Sequence, residues 1–367
     1  MLEDSYYATC GLTSIREKVA RGERLDYDDG MALFNCGDLT ALGSLAHEVR
    51  TRLNGNRVHY VVNRQINYSN VCVNDCVFCA FRKDGLDEPG AFTLDGKEIL
   101  ERIESAFSGQ LQLDEVHIVG GCNPALGLPF FENLFREIAS RWPRLPIKAF
   151  TPVEIAFFAK QEGLMHREVL ERLKGAGLAM LAGGGAEIFD ENLREKLCPA
   201  KANAREWLQI SGEAHALGIK SNCTMLYGHI ETDGQLLDHL LRLREQQDKS
   251  GGFTCFIPLR YLSANNRLKD QAREADALRS LKIMAISRLI LDNIPHIKAY
   301  WIMLGQKLAQ TALWYGADDL DGTIIEEHIG HSAGAASSQA LTISELENMI
   351  ANSGFEPVRR NALFRPV

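Results

Sequence analysis

Short apolar runs alternate with longer amphipathic stretches along most of the chain. The runs fall at Ile66–Val71, Glu115–Val119, Ile147–Phe150, Leu178–Leu181, Ser221–Tyr227, Phe253–Leu259, Ile297–Met303 and Leu320–Ile325. Between them, Glu98–Ser108, Phe131–Ser140, His166–Lys174 and Arg205–Leu217 repeat apolar residues every three or four positions, as a helix with one buried face does. Strands alternating with helices predict βαβ units and a parallel sheet. Eight such units predict an α/β fold, a (β/α)8 TIM-type barrel; a six-strand open barrel with a C-terminal cap is the competing architecture. Residues 1–57 read as an N-terminal helical extension, amphipathic from Asp38 to Thr51. Residues 58–340 form the barrel and 341–367 a C-terminal helical segment packing on it.

Such a barrel builds its active site on the loops after the C-terminal strand ends. The unusual residues sit there. Cysteines follow the first expected strand, Gly120-Gly121 the second, and Thr151-Pro152-Val153-Glu154 the third. Gly183-Gly184-Gly185-Ala186-Glu187 follows the fourth, and Tyr227-Gly228-His229-Ile230-Glu231 the fifth.

Composition narrows the class. The chain has 367 residues, 46% of them hydrophobic, with 31 Gly and 11 Pro, which excludes a disordered or collagen-like chain. No apolar run is long enough to cross a membrane, and Met1-Leu2-Glu3-Asp4 opens no export signal, so a cytoplasmic protein without membrane contact is expected. A net charge of −8 without a basic tract argues against nucleic acid as partner. Nine cysteines, an odd number in a chain with no export signal, argue against a disulfide framework.

Cys72, Cys76 and Cys79 have the spacing C-x3-C-x2-C. Thiolates this close suit zinc or iron–sulfur. A structural zinc wants a fourth ligand, and the sequence offers no second pair at a matching spacing. A 4Fe–4S cluster on three cysteines leaves one iron open for chemistry. Structural zinc, or three unligated core thiols, are the other readings.

The remaining constellations each carry a plain reading beside a functional one. Gly120-Gly121 is a tight turn or a backbone that meets a ligand. Gly183–Gly185, read as opening a helix, lets the backbone approach a ligand whose ribose Glu187 would accept; otherwise Glu187 is a first-turn glutamate favoured by the helix dipole. Gly228 fits a flat ligand such as adenine. His229 is an acid or base, or a satisfied histidine. Arg260 and Lys298 bind carboxylates or form ordinary ion pairs. Cys122, Cys223 and Cys255 default to packing, with an auxiliary cluster as the alternative. Tyr300–Met303 reads as barrel core.

The cysteine spacing, with Phe78 just before the third cysteine, resembles the radical S-adenosylmethionine (SAM) superfamily. Asn67–Cys72, Lys148–Ile155, Gly183–Ile188, Cys223–Glu231, Asn293–Gly305 and Gly316–Thr323 are similar to its menaquinone and deazaflavin branch, and within that to the aminofutalosine synthases. The similarity spans roughly residues 35 to 350. It implies that the open iron binds SAM and that one electron cleaves SAM to methionine and a 5′-deoxyadenosyl radical. It further implies SAM contacts at Phe78, Gly120, Gly121, Glu187, Tyr227 and Gly228. Related sequences carry His-Pro where this chain has Asn123-Pro124, which removes a proton-transfer candidate there.

The implied reaction adds the radical to the double bond of 3-[(1-carboxyvinyl)oxy]benzoate, giving 6-amino-6-deoxyfutalosine, bicarbonate and methionine on the futalosine route to menaquinone. Asn67, Ser69, Glu154, His229, Arg260, His296 and Lys298 are then the substrate-binding and catalytic candidates, and a flavodoxin or ferredoxin is the implied electron donor. A dehypoxanthine futalosine cyclase or a deazaflavin synthase subunit is the near alternative. A non-catalytic iron–sulfur or zinc protein is the distant one.

Overall fold

The computed structural model describes residues 2–108 and 112–367. Its ten strands are β1 (Arg57–Val61), β2 (Asn63–Asn67), β3 (Glu115–Val119), β4 (Ile147–Ala149), β5 (Leu178–Leu181), β6 (Lys220–Tyr227), β7 (Phe253–Arg260), β8 (His296–Ile297), β9 (Asp319–Gly322) and β10 (Glu356–Arg359). Strands β2 to β8 lie side by side in chain order as one seven-stranded sheet, every pair parallel. β1 lies between β10 and β9 in a second, three-stranded parallel sheet. Only Val62 separates β1 from β2, and single bridges join Lys298 to Asp319 and Arg64 to Ile325. The second sheet therefore meets both edges of the first, and the parallel sheet curls as a TIM-type α/β fold.

Helices occupy each crossover of the seven-stranded sheet, and β3 to β7 are largely buried, whereas β2 (Asn-Arg-Gln-Ile-Asn) is buried but mostly polar. Helix starts follow their local chemistry. Thr151 caps the helix Pro152–Glu162 reciprocally with Glu154, behind a proline at its first position. Thr232 with Gln235 and Thr342 with Glu345 repeat the device. The N-terminal helices end in Leu39–Asn54, which packs along Ala277–Ile290 on the barrel's outside.

Four expectations about elements are corrected. The first strand ends at Asn67, not Val71, because the next backbone groups bond to the following loop: Leu94 N–H donates to Tyr68 O (2.8 Å) and Lys83 N–H to Asn70 O (2.8 Å). The seventh strand is two residues long, and Trp301–Leu304 is a helical turn closed by Gly305 at φ 77°. Gly183–Glu187 opens no helix; the loop continues to Asp190, whose carboxylate caps Glu191–Leu197. The C-terminal segment is helical only over Ile343–Asn352 before it adds β10.

The floor of the barrel, at the N-terminal strand ends, holds buried charges. Lys148 Nζ lies 2.7 Å from Glu115 Oε1, Arg360 Nε 2.6 Å from Asp319 Oδ2, and Lys298 Nζ 2.9 Å from Asp321 Oδ1. Below them His296 Nδ1 meets Asp318 Oδ2 at 2.5 Å, with its ring stacked 4.0 Å over Phe364.

Candidate active site

At the opposite end, the C-terminal strand ends surround a cavity of about 310 Å³. Cys72, Cys76 and Cys79 all line it, together with Phe78, Gly120, Gly121, Glu154, Glu187 and Arg260. The loop carrying the cysteines is tied down by its own polar residues. Asn70 Oδ1 accepts from Phe92 N–H (2.8 Å) and Asn70 Nδ2 donates to Gly90 O (2.9 Å), folding the segment after Arg82 back over the strand end. Val77 N–H donates to Leu197 O at 2.9 Å, which fixes the middle of the motif to the loop after β5.

Glycine is required at 121: a Cβ there would overlap the Val71 carbonyl oxygen, so only glycine lets the end of β3 approach the cysteine loop this closely. The next residue uses that proximity, since Cys122 N–H donates to Cys72 Sγ at 3.3 Å. The Cys122 thiol also hydrogen-bonds Cys72, and this chiefly holds the Cys72 thiol down to about 6 despite burial. Burial pushes Cys76 up to about 12 and raises Cys79.

The Lys201 ammonium opposes that rise at both cysteines. It lies 2.6 Å from Glu187 Oε1 and 5.3 Å above the Phe78 ring. Burial works to discharge Lys201, but the charges of Cys76, Glu187 and Cys198 hold it well above its usual range. Three soft donors in one enclosed cavity, with a buried cation beside them, fit a cluster carried on thiolates. The same arrangement suits an anionic group on a ligand bound there.

Glu154 links the site to the scaffold. Its carboxyl accepts from Tyr68 OH (2.7 Å), Thr151 N–H (2.7 Å) and Gly120 N–H (3.3 Å). Burial nonetheless pushes it up to about 7. Glu187 sits at φ 50° in the loop after β5, its carboxylate turned to Lys201.

Of the other sequence candidates, only Arg260 is on the cavity lining. Asn67 Nδ2 donates to Val119 O (3.2 Å) and its Oδ1 accepts from His328 N–H (3.1 Å), so it staples loops together. Ser69 Oγ donates to Phe92 O (3.0 Å) and accepts from Asn123 (3.0 Å). Tyr227 is buried in β6, and a Cβ at Gly228 would stand 2.8 Å from Ala275, so the close approach there is to the chain itself. His229 Nε2 pairs with Leu226 O at 3.1 Å; Nδ1 lies 3.2 Å from Glu231 without a hydrogen bond, and the ring stands outside the cavity lining. His296 and Lys298 belong to the floor. Arg260 lines the cavity but already binds Ala275 O (2.8 Å) and Glu274 (3.2 Å).

Several lining residues were not candidates from the sequence: Lys201, Gln65, His117 and Glu327, with Asp321 present only inside the Gly316–Thr323 segment. Tyr300 and Met303, read from the sequence as core, also reach the cavity, while Trp301 and Ile302 are buried. Among the described residues no helix is long and apolar enough to cross a membrane.

A fold of parallel strands curled around a cysteine-lined mouth defines a class, and comparison with known proteins agrees with it. Residues 66–243 match the radical SAM superfamily and residues 250–367 match the CofH/MqnC C-terminal region. Aminodeoxyfutalosine synthase of Streptomyces coelicolor is 43% identical over 361 residues, 95% of this chain and 92% of the relative. That of Thermus thermophilus is 42% identical over 359 residues, 97% and 96% of the two chains. The 5-amino-6-(D-ribitylamino)uracil–L-tyrosine 4-hydroxyphenyl transferase of Methanopyrus kandleri is 40% identical over 326 residues, 88% of each. Methylornithine synthase shares the fold at TM-score 0.76 and 20% identity, over 94% of this chain and 97% of its own. The chain belongs to the radical SAM superfamily, in the branch that carries the CofH/MqnC C-terminal region, and is an enzyme of it. The superfamily works with a 4Fe–4S cluster that delivers one electron to SAM.

Proposed function

We propose that this enzyme joins the adenosyl unit of SAM to 3-[(1-carboxyvinyl)oxy]benzoate. Water is taken up, and 6-amino-6-deoxyfutalosine, methionine and bicarbonate are formed. The observation that carries the reading is the near full-length identity to two aminodeoxyfutalosine synthases. Cys72, Cys76 and Cys79 hold the cluster and leave one iron to SAM. Phe78, Gly120, Gly121 and Glu187 surround the SAM that binds beside it, and Lys201 keeps Glu187 oriented. The cleaved adenosyl carbon adds to the vinyl CH2 of the acceptor. The new radical, between an ether oxygen and a carboxylate, attacks the ring, which migrates from oxygen to carbon. The side-chain carboxylate then leaves with the odd electron, gives back the electron that cleaved SAM, and takes up water to become bicarbonate.

The walls suit this chemistry. Val119, Leu226, Ile257 and Leu259 line the cavity with carbon, which keeps water from a primary radical. The reaction needs the vinyl carbon and the adenosyl carbon held together at attack distance in this space. A flavodoxin or ferredoxin of the cytoplasm supplies the electron.

The transferase relatives favour a second reading, in which tyrosine and an aminouracil are the substrates. One experiment separates the two. Reduced, cluster-loaded enzyme is given SAM and either the carboxyvinyloxy-benzoate or tyrosine with the aminouracil, and products are weighed by mass spectrometry. An adduct that retains the whole adenosine unit, formed only with the benzoate, is expected. Release of free 5′-deoxyadenosine with a tyrosine-derived product rejects the assignment.

A further inference from the structure

Three uncharged polar side chains reach the cavity and take no part in the contacts described so far. Gln65 on β2 and His117 on β3 are register partners across adjacent parallel strands. Tyr300 enters from the segment after β8. All three line the cavity. Val116 and Ile118 on either side of His117 are buried on the outer face of β3, so the imidazole points into the barrel.

Among the described residues, none of the three side chains has a hydrogen-bond partner; His117 Nε2 is sealed from solvent and unpaired. The charges facing the imidazole come from three strands and the segment after β8: Lys148, Glu115, Asp321 and Lys298. They are paired with one another, Lys148 with Glu115 and Lys298 with Asp321. Burial, then Lys148, pushes His117 down to about 3, so the ring is neutral, one nitrogen donating and the other accepting. An orphaned buried nitrogen is costly, and a bound ligand is the natural partner for His117 Nε2 and for the two unpaired polar groups that line the same cavity.

The lining cations are committed elsewhere. Lys201 meets Glu187, Arg260 meets Glu274, and Arg82 meets Asp84 and Asp75. An anion that descends below the cysteines therefore meets neutral donors rather than a free cation.

We propose that Gln65, His117 and Tyr300 bind the ring carboxylate of the acceptor by neutral hydrogen bonds, and so hold its vinyl end up toward the cysteines. A carboxylate has about four lone-pair sites, enough for an imidazole N–H, a phenol O–H and an amide N–H together. The proposal rests on the benzoate reading above and adds which residues select that end of the molecule.

The test uses cluster-loaded, unreduced enzyme with SAM, so that no turnover occurs. Binding of the carboxyvinyloxy-benzoate and of its ring-carboxamide analogue is measured by calorimetry. Wild type is expected to prefer the acid. His117→Phe and Tyr300→Phe should each weaken acid binding roughly ten- to hundredfold, with SAM affinity unchanged, since each removes one hydrogen bond to a charged group. His117→Asn, which keeps a donor, should recover part of the loss. Variants that bind SAM normally and the acid within about twofold of wild type would overturn the proposal, an effect far below the loss of such a bond. Wild type that binds neither compound would overturn the benzoate reading and this proposal with it.

Discussion

At the floor of the barrel Lys148, Glu115, Arg360, Asp319, Lys298 and Asp321 are buried, yet each lies within 4 Å of an opposite charge. Gln65, His117 and Tyr300 face the cavity, with His117 in register beside Lys148; they carry no charge, and among the described residues no group hydrogen-bonds to their side chains. The floor's charges are neutralised within the fold, so they hold the fold; the neutral groups on the cavity are left for something that arrives.

The largest effect expected is at the cysteines. Cys76→Ala should abolish product formation and lower iron per chain after reconstitution, while circular dichroism stays that of the wild type. A variant that keeps the full iron content would break the contrast at its functional end.

Next comes the floor. Arg360→Leu leaves Asp319 buried without its closest partner, and loss of one member of a buried pair costs about 3–5 kcal/mol. His117→Phe removes a group that bonds to nothing and should shift stability by less than about 1 kcal/mol, or raise it. Urea unfolding of the two variants side by side measures the difference; equal losses would erase the distinction between floor and mouth.

A third effect is in pH. Burial raises the Glu154 carboxyl from 4.5 to about 7, so the folded chain holds this proton more tightly than the unfolded one. That contribution is complete below pH 4.5 and is lost as pH rises through 7, about 3 kcal/mol in all. Glu154→Gln should flatten this part of the stability profile. A profile unchanged in the variant would mean that Tyr68, Thr151 and Gly120 compensate the burial fully.

The smallest effect lies on the rim. Glu327 raises His331 from 6.5 to about 9, so the stability it adds is present below pH 6.5 and fades as pH rises through 9. His331 is half-open to solvent, and screening limits the contribution to about 1 kcal/mol or less. Hydrogen exchange over residues 326–338 should quicken between pH 7 and 10 in wild type and show no such step in Glu327→Gln.

Much of the frame was legible because most of the doubly covered parallel strands are apolar, which made β3 to β7 visible as runs; β2, Asn-Arg-Gln-Ile-Asn, is buried but polar, so the run read there began only at Ile66. Their ends were less so. Tyr68 and Val71 are as buried as strand residues, but their backbones serve the cysteine loop, and apolarity does not distinguish the two uses. The cysteines and the Gly120-Gly121 pair could be read because their spacing is itself the constraint. Lys298 and His296 were misplaced for the opposite reason: a two-residue strand gives no clue to which end of the barrel its side chains serve. Gly228 signalled a close approach correctly, but the neighbour is Ala275 and not a ligand. Gln65, His117, Tyr300 and Lys201 are single polar residues without any spacing, visible only once the strands set them around one space.

The measurement closest to the central claim is electron paramagnetic resonance of the reconstituted, dithionite-reduced enzyme with and without SAM. If Cys72, Cys76 and Cys79 hold a cluster with one open iron at this mouth, SAM will change the g values of the reduced signal, and Cys76→Ala will show neither signal nor change. A reduced cluster whose spectrum is indifferent to saturating SAM would contradict the account.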